Sequence, residues 1–158
     1  MQGEGASALV RPRALTYAGD METGDTPKPL RLIVAGGRDF TDYAVLCRVL
    51  QDWLARYADG PVTIISGHAR GADTLGERFA RERGHGLEIY PADWESFGKR
   101  AGFIRNSRMV AIADAAVAFW DGASHGTLDT IRKMRADNKP ISVFDYGGRE
   151  MPPDTLLD

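Results

Sequence analysis

Two stretches of the 158-residue chain hold the residue types from which phosphate sites are built: "SGHARGAD" at 66–73 and "DGASHGT" at 121–127. Each follows an apolar run, "VTII" and "AAVAFW", and each leads into a helical pattern. Glycine and alanine let a backbone come close to a ligand, and a helix start offers unpaired N–H groups with a partial positive charge. In the first stretch Ser66 and Gly67 lead to Gly71 and Ala72 at the helix start, with Arg70 beside them as a forked donor suited to phosphate. Asp73, in the first helical turn, is placed to accept from a ribose hydroxyl or from another loop. An acidic residue there also favours a helix start by itself, so the stretch reads as a phosphate cradle or as a plain corner. In the second stretch Gly126 and Thr127 present backbone and hydroxyl donors, and Ser124 is a further donor or only the helix cap.

More charge comes from two other places. "GGRDF" at 36–40 supplies Gly36 and Gly37 for close approach, Arg38 as a phosphate donor or surface charge, and Asp39. In a helix expected over about 97–113, Gly102, Arg105, Asn106, Met109 and Ala113 share a face. Met109 and Ala113 read as core, which turns Arg105 and Asn106 inward. A buried arginine without a partner is costly, so Arg105 meets either an internal carboxylate such as Asp93 or an anionic ligand. Trp94 and Trp120 stand at strand ends, suited to stack on a base or to fill the core. His68 and His125 lie within the two cradles and His85 in a turn, with no metal-ligand spacing, so no metal is expected. The P-loop pattern and a G-x-G-x-x-G after the first strand are both absent. Their absence sets aside P-loop kinases and ATPases and ordinary dinucleotide dehydrogenases.

These loops need elements to hold them, and the pattern supplies strand and helix in alternation. Strands are expected at 31–36, 62–66, 86–90, 115–120 and 141–144. Between them come helical stripes: Leu46, Val49, Leu50, Trp53 and Leu54 with Thr41 as cap, Ala72, Leu75, Phe79 and Ala80 closed by Gly84, the 97–113 helix, and Leu128, Ile131 and Met134. Near-continuous apolar strands alternating with helices predict an α/β, Rossmann-like three-layer αβα sandwich around a mostly parallel sheet of about five strands. In such sheets ligands bind beyond the carboxyl ends of the strands, where all of the polar loops fall. Residues 1–29 read as a flexible N-terminal extension, 30–145 as the nucleotide-binding domain, and 146–158 as a C-terminal tail.

Composition bounds the function classes. Net charge is −2, and residues 31–144 carry 16 Lys and Arg against 14 Asp and Glu. That core lacks the basic footprint of a strong nucleic-acid binder, so nucleic acid is not the expected partner. A single cysteine, Cys47, excludes an internal disulfide and argues against a thiolate metal site. No apolar run approaches a membrane span and no signal-peptide pattern opens the chain, so a cytoplasmic protein is expected.

Taken together, "VAGGRDF", "SGHARGAD", "PADW", "AGFIRNSRM" and "FWDGASHGT" resemble the YspA-like branch of the SLOG superfamily, over about residues 31–144. These are Rossmann-like proteins related to the LOG cytokinin-activating enzymes and to DprA. The resemblance implies a pocket for a nucleotide derivative, a nucleoside monophosphate or an ADP-ribose-like molecule, with no further cofactor required and with homo-oligomers usual. It also implies one of two roles, sensing the ligand or cleaving base from ribose phosphate as a nucleotide N-glycosidase or phosphoribohydrolase; a DprA-like association with nucleic acid is a third. LOG-type enzymes carry P-G-G-x-G-T-x-x-E and a helix arginine. Gly126 and Thr127 match the G-T, and Arg105 the arginine, but Thr130 occupies the position of the catalytic glutamate. A neutral hydroxyl cannot replace that carboxylate. Asp129 lies one residue early, about 100° round the helix, and Asp39, Asp73, Asp93 and Asp121 are the other candidate carboxylates.

Overall fold

A computed structural model describes residues 28–152. The expected N-terminal extension lies almost wholly outside the described residues, as does the end of the expected tail. The described chain runs β1 (Leu30–Gly36), α1 (Tyr43–Tyr57), β2 (Val62–Ser66), α2 (Ala72–Arg83), β3 (Gly86–Ile89), α3 (Trp94–Phe97), a 3₁₀ turn (Gly98–Arg100), α4 (Ala101–Ile112), β4 (Ala115–Phe119), α5 (His125–Ala136) and β5 (Ile141–Phe144).

All five strands are parallel, in the order β3-β2-β1-β4-β5. Side chains alternate across the pleat, so β1 feeds two cores. Leu32 and Val34 pack with Leu46, Leu50, Trp53 and Phe79 of α1 and α2. Ile33 and Ala35 pack with Met109, Val110 and Met134 of α4 and α5. The outcome is the three-layer α/β sandwich that the sequence predicts. After β3 the chain returns to the other side of β1, so the strand order reverses between β1 and β4. The loops that leave these two strands flank the crevice where such sheets bind ligands.

Several boundaries differ from expectation, β1 starting at Leu30 and β3 ending at Ile89 among them. The helix expected from 97 is two helices and a 3₁₀ turn, because Gly98 takes a left-handed φ of 57° and breaks the run. Asp42 rather than Thr41 caps α1, its Oδ1 accepting from Val45 N at 3.1 Å. β4 ends at Phe119, one residue early. Gly84 does close α2 in the left-handed conformation, φ 72°.

Residues 145–152, mostly assigned to the tail, fold back on the domain. Glu150 bridges antiparallel to Phe144, Met151 N donates to Val143 O at 2.7 Å, and Arg48 donates to Gly147 O at 3.0 Å. Phe40, buried directly after the β1 loop, stacks on Phe119 at 4.8 Å and meets the edge of Tyr146 at 5.0 Å. Burying a phenylalanine contributes about 1.5–3 kcal/mol, so Phe40 anchors the far end of that loop.

Candidate functional site

The β1 loop is joined on both sides. Gly37 N donates to Phe119 O at 3.1 Å, and Gly37 O accepts from Ala72 N at 3.2 Å. A side chain at Gly36 has no room: its Cβ would stand 2.5 Å from Phe119 O and 2.7 Å from the Ala72 Cβ. Gly71 enters α2 at φ 81°, pressed against Gly37 and Arg38. The first predicted cradle is therefore largely closed by its own protein. Ala72 N is taken by Gly37, and Asp73 Oδ2 accepts from Ala69 N at 3.2 Å. Ser66 is fully buried and donates from Oγ to Glu77 Oε2 at 2.7 Å. Ser66, Gly71 and Ala72 thus hold loops together and do not line the cavity below, contrary to the expectation that they cradle phosphate.

The second cradle is open. Asp121, expected at the ligand, instead turns its exposed Oδ1 to Ala123 N and Ser124 N at 2.9 and 2.8 Å, and those bonds hold its carboxyl below the usual range. Ser124 occupies the cap position of α5, but its Oγ pairs with Thr127 Oγ1 at 3.2 Å and makes no cap hydrogen bond. The N–H groups of the first turn have no carbonyl four residues back to receive them. A Cβ added at Gly126 would meet nothing within 4 Å.

Between these loops lies a hollow of about 330 Å³. Gly36, Gly37, Arg38 and Asp39 line it from β1, Ala69 and Asp73 from the second loop, and Ser124, Gly126 and Thr127 from α5. Arg105 and Asn106 close it from α4, and Met109 and Thr130 are also in its wall. A second hollow of about 380 Å³ adjoins it, sharing Arg38, Ala69 and Arg105 and adding Gly67, Arg70 and Trp94.

Arg105 is the hinge of the arrangement. It donates from Nη1 to Gly67 O and from Nε to Asn106 Oδ1 at 2.9 Å. Burial pulls its pKa below the usual guanidinium value, the nearby Asp73 opposes that, and Arg38 adds to it. The salt bridge to Asp93 is not formed; Asp93 caps α3 instead, accepting from Ser96 N at 3.1 Å. Asp73 is the buried carboxyl of the site. Burial pushes it up to about 6, Glu77 reinforces the shift, and the Ala69 N–H, Arg105 and Arg38 oppose it.

Two predicted residues point elsewhere. Trp120 is buried among Ala118, Ile131 and Val143, and its Nε1 donates to Ser124 O at 3.0 Å, so it lines neither hollow. Asp129 accepts from Asn106 Nδ2 at 3.1 Å and Lys133 Nζ at 2.8 Å, which binds it between α4 and α5 outside the lining. Thr130, at the glutamate position of LOG-type enzymes, does line the first hollow.

Sequence reasoning missed Glu77 and Tyr146. Glu77 is buried and receives both Ser66 Oγ and His68 Nδ1. Its signal was a carboxylate four residues after Asp73, on the face that carries Ala72, Phe79 and Ala80. Tyr146 donates to Asp39 Oδ1 at 2.5 Å and roofs Gly37. Its signal lay in a stretch that reads as tail. Among the described residues no group of three His, Cys, Asp or Glu side chains is placed to hold a metal ion. Nor is any helix there long and apolar enough to cross a membrane.

Gly126→Ala is a clean probe of the open cradle. The methyl enters empty space, and alanine in a helix is favoured over glycine by about 0.5–1 kcal/mol. The variant is expected to melt no lower than wild type while it binds an anion at this turn less well, measured by thermal unfolding and calorimetry.

Comparison with known proteins agrees with this architecture. Residues 30–97 match the family described as YAcAr: YspA, cpYpsA-related SLOG family. The Gene 61 protein of Mycobacterium phage D29 is 38% identical over 125 residues, which are 75% of this chain and 98% of the phage protein. The fold is also that of DNA processing protein A (DprA) from Streptococcus pneumoniae, with TM-score 0.57 and 17% identity, covering 74% of this chain and 50% of that one. DNA processing protein A from Helicobacter pylori, described for its single-stranded DNA binding mode, gives TM-score 0.50 and 18% identity, covering 73% of this chain and 65% of that one. The chain thus spans half to about two thirds of those structures, and at these identities the likeness is one of fold.

Proposed function

We propose, from the premise that the chain belongs to the YspA, cpYpsA-related SLOG family, that it binds a nucleotide or nucleotide derivative at the carboxyl edge of its sheet. The ligand is a nucleoside monophosphate or an ADP-ribose-like molecule. The observation that carries this reading is the convergence of three loops and Arg105 on one hollow of about 330 Å³. Phosphate sits at the open first turn of α5, where Gly126 and Thr127 offer backbone N–H groups and Arg105 and Arg38 offer charge. Ribose hydroxyls lie toward Asp73.

Titration calorimetry with AMP, ADP-ribose and NAD tests it. At least one ligand is expected to bind below millimolar concentration, and silence from all three at that concentration overturns the reading. Chromatography of the same mixtures asks whether base is released. Asp73 and Asp39 are the carboxylates in the hollow that such a reaction would draw on, since Asp129 is engaged by Asn106 and Lys133. We propose in addition that the protein is a cytoplasmic homo-oligomer. Native mass spectrometry of freshly purified protein reports its assembly and any nucleotide carried with it.

A further inference from the structure

The second hollow, about 380 Å³, carries an exposed aromatic ring and basic side chains that the reading of the first hollow does not use. Trp94 is 51% exposed, an unusual position for so large an apolar ring. It lies near Gly102 on α4, as does Arg105: a Cβ on that glycine would stand 3.8 Å from Trp94 Cη2 and 3.7 Å from Arg105 Nη2. Arg70 is exposed on the same wall. His68 completes it. Its backbone takes φ 62°, a conformation that non-glycine residues seldom adopt, and its Nδ1 lies 2.8 Å from Glu77 Oε2. A carboxylate oxygen accepts, so Nδ1 carries the proton to Glu77. Nε2 is the ring nitrogen left over, and it has no hydrogen-bond partner among the described residues. Glu77 is itself almost fully buried and also held by Ser66, so the imidazole is fixed in place.

We propose that the two hollows are halves of one site and that the second takes a second nucleotide unit, its base stacked on Trp94, its phosphate met by Arg70 and a ribose hydroxyl donating to the bare Nε2 of His68. Arg38 and Arg105 border both hollows, so the phosphates that link the two units cross between these guanidinium groups. The full ligand is then two nucleotide units joined through phosphate. This inference rests on the reading that the first hollow binds a nucleotide. Its chemistry is shared by a free molecule with a diphosphate bridge and by two successive nucleotides of a strand.

Calorimetry on the full chain with AMP, diadenosine diphosphate and 5′-phosphorylated ApA separates these cases. At least one two-unit ligand is expected to bind about tenfold or more tighter than AMP, the gain that stacking of one base on an aromatic ring gives. Trp94→Ala and, as an independent exposed variant, Arg70→Ala are expected to erase most of that gain and leave AMP affinity within about twofold. A gain for diadenosine diphosphate alone identifies a free small molecule; a gain for ApA alone identifies a strand. If AMP binds and neither two-unit ligand improves on it, or if both variants keep the gain, the second subsite is overturned and the first stands. If none of AMP, ADP-ribose, NAD and the two-unit ligands binds, the first reading falls and the second with it.

Discussion

Arg105→Ala is expected to weaken AMP binding by roughly 10- to 150-fold, the equivalent of about 1.5–3 kcal/mol for a lost hydrogen bond to a charged group. The side chain borders both hollows and stands between Gly67 on one loop and Asn106 on its own helix. Its removal leaves the Gly67 carbonyl and Asn106 Oδ1 without their donor, and Asp73 without the cation that most favours its charged form. Arg105→Lys restores the charge but not the planar fork, and is expected to recover only part of the loss. Calorimetry gives the affinity, and urea unfolding separates it from any change in stability. Wild-type affinity in Arg105→Ala would remove the guanidinium from the proposed site.

Asp73→Asn is expected to make the protein more stable at pH 7.5, by about 1–3 kcal/mol. The folded carboxyl titrates near pH 6, above its ordinary value of 3.8, chiefly because it is buried. Between about pH 4 and pH 6 the native state therefore holds a proton that the unfolded chain has released. Stability that this group contributes is full below pH 4, falls as pH rises through that window, and stays lost above it. The shift of about two units corresponds to roughly 3 kcal/mol. Asparagine keeps an oxygen for the Ala69 N–H and carries no charge, while the loss of a partner for Arg105 offsets part of the gain. Urea unfolding across pH 4–8 checks the claim, and parallel profiles for wild type and variant would assign the titration elsewhere. A bound anion favours the protonated form, so wild-type affinity for AMP should fall as pH rises past 6 more steeply than that of the variant. The comparison cancels the titration of the AMP phosphate itself.

Both effects depend on loops whose placement was legible before the fold was known. Apolar runs of four to six residues separated by helical stripes defined a parallel sheet, and parallel sheets expose their ligand loops at one edge. Arg105 was legible too, because Met109 and Ala113 fix which way its helix faces. The two cradles were harder to rank. Their compositions are alike, but the outcome depends on hydrogen bonds between loops distant in sequence: Gly37 O closes the start of α2, and nothing comparable closes α5. Trp120 and Trp94 show the same limit. Trp120 directly follows β4, an inner strand, and is buried, while Trp94 lies five residues beyond the edge strand β3, at the start of α3, and is left in the open. Strand order is set by packing of the whole chain and leaves no mark on either local sequence.

The position of Tyr146 decides where this protein can be shortened or fused. Its hydroxyl reaches Asp39, its ring meets Phe40, and Gly37 lies directly beneath it. A junction for a tag or reporter made at Phe144, the last residue of the sheet, would strip the lid from the first glycine corner even though every strand remained. The same junction made after Pro152 keeps it. Engineered versions cut at those two points would therefore be expected to share one sheet but differ at its loop-bearing rim.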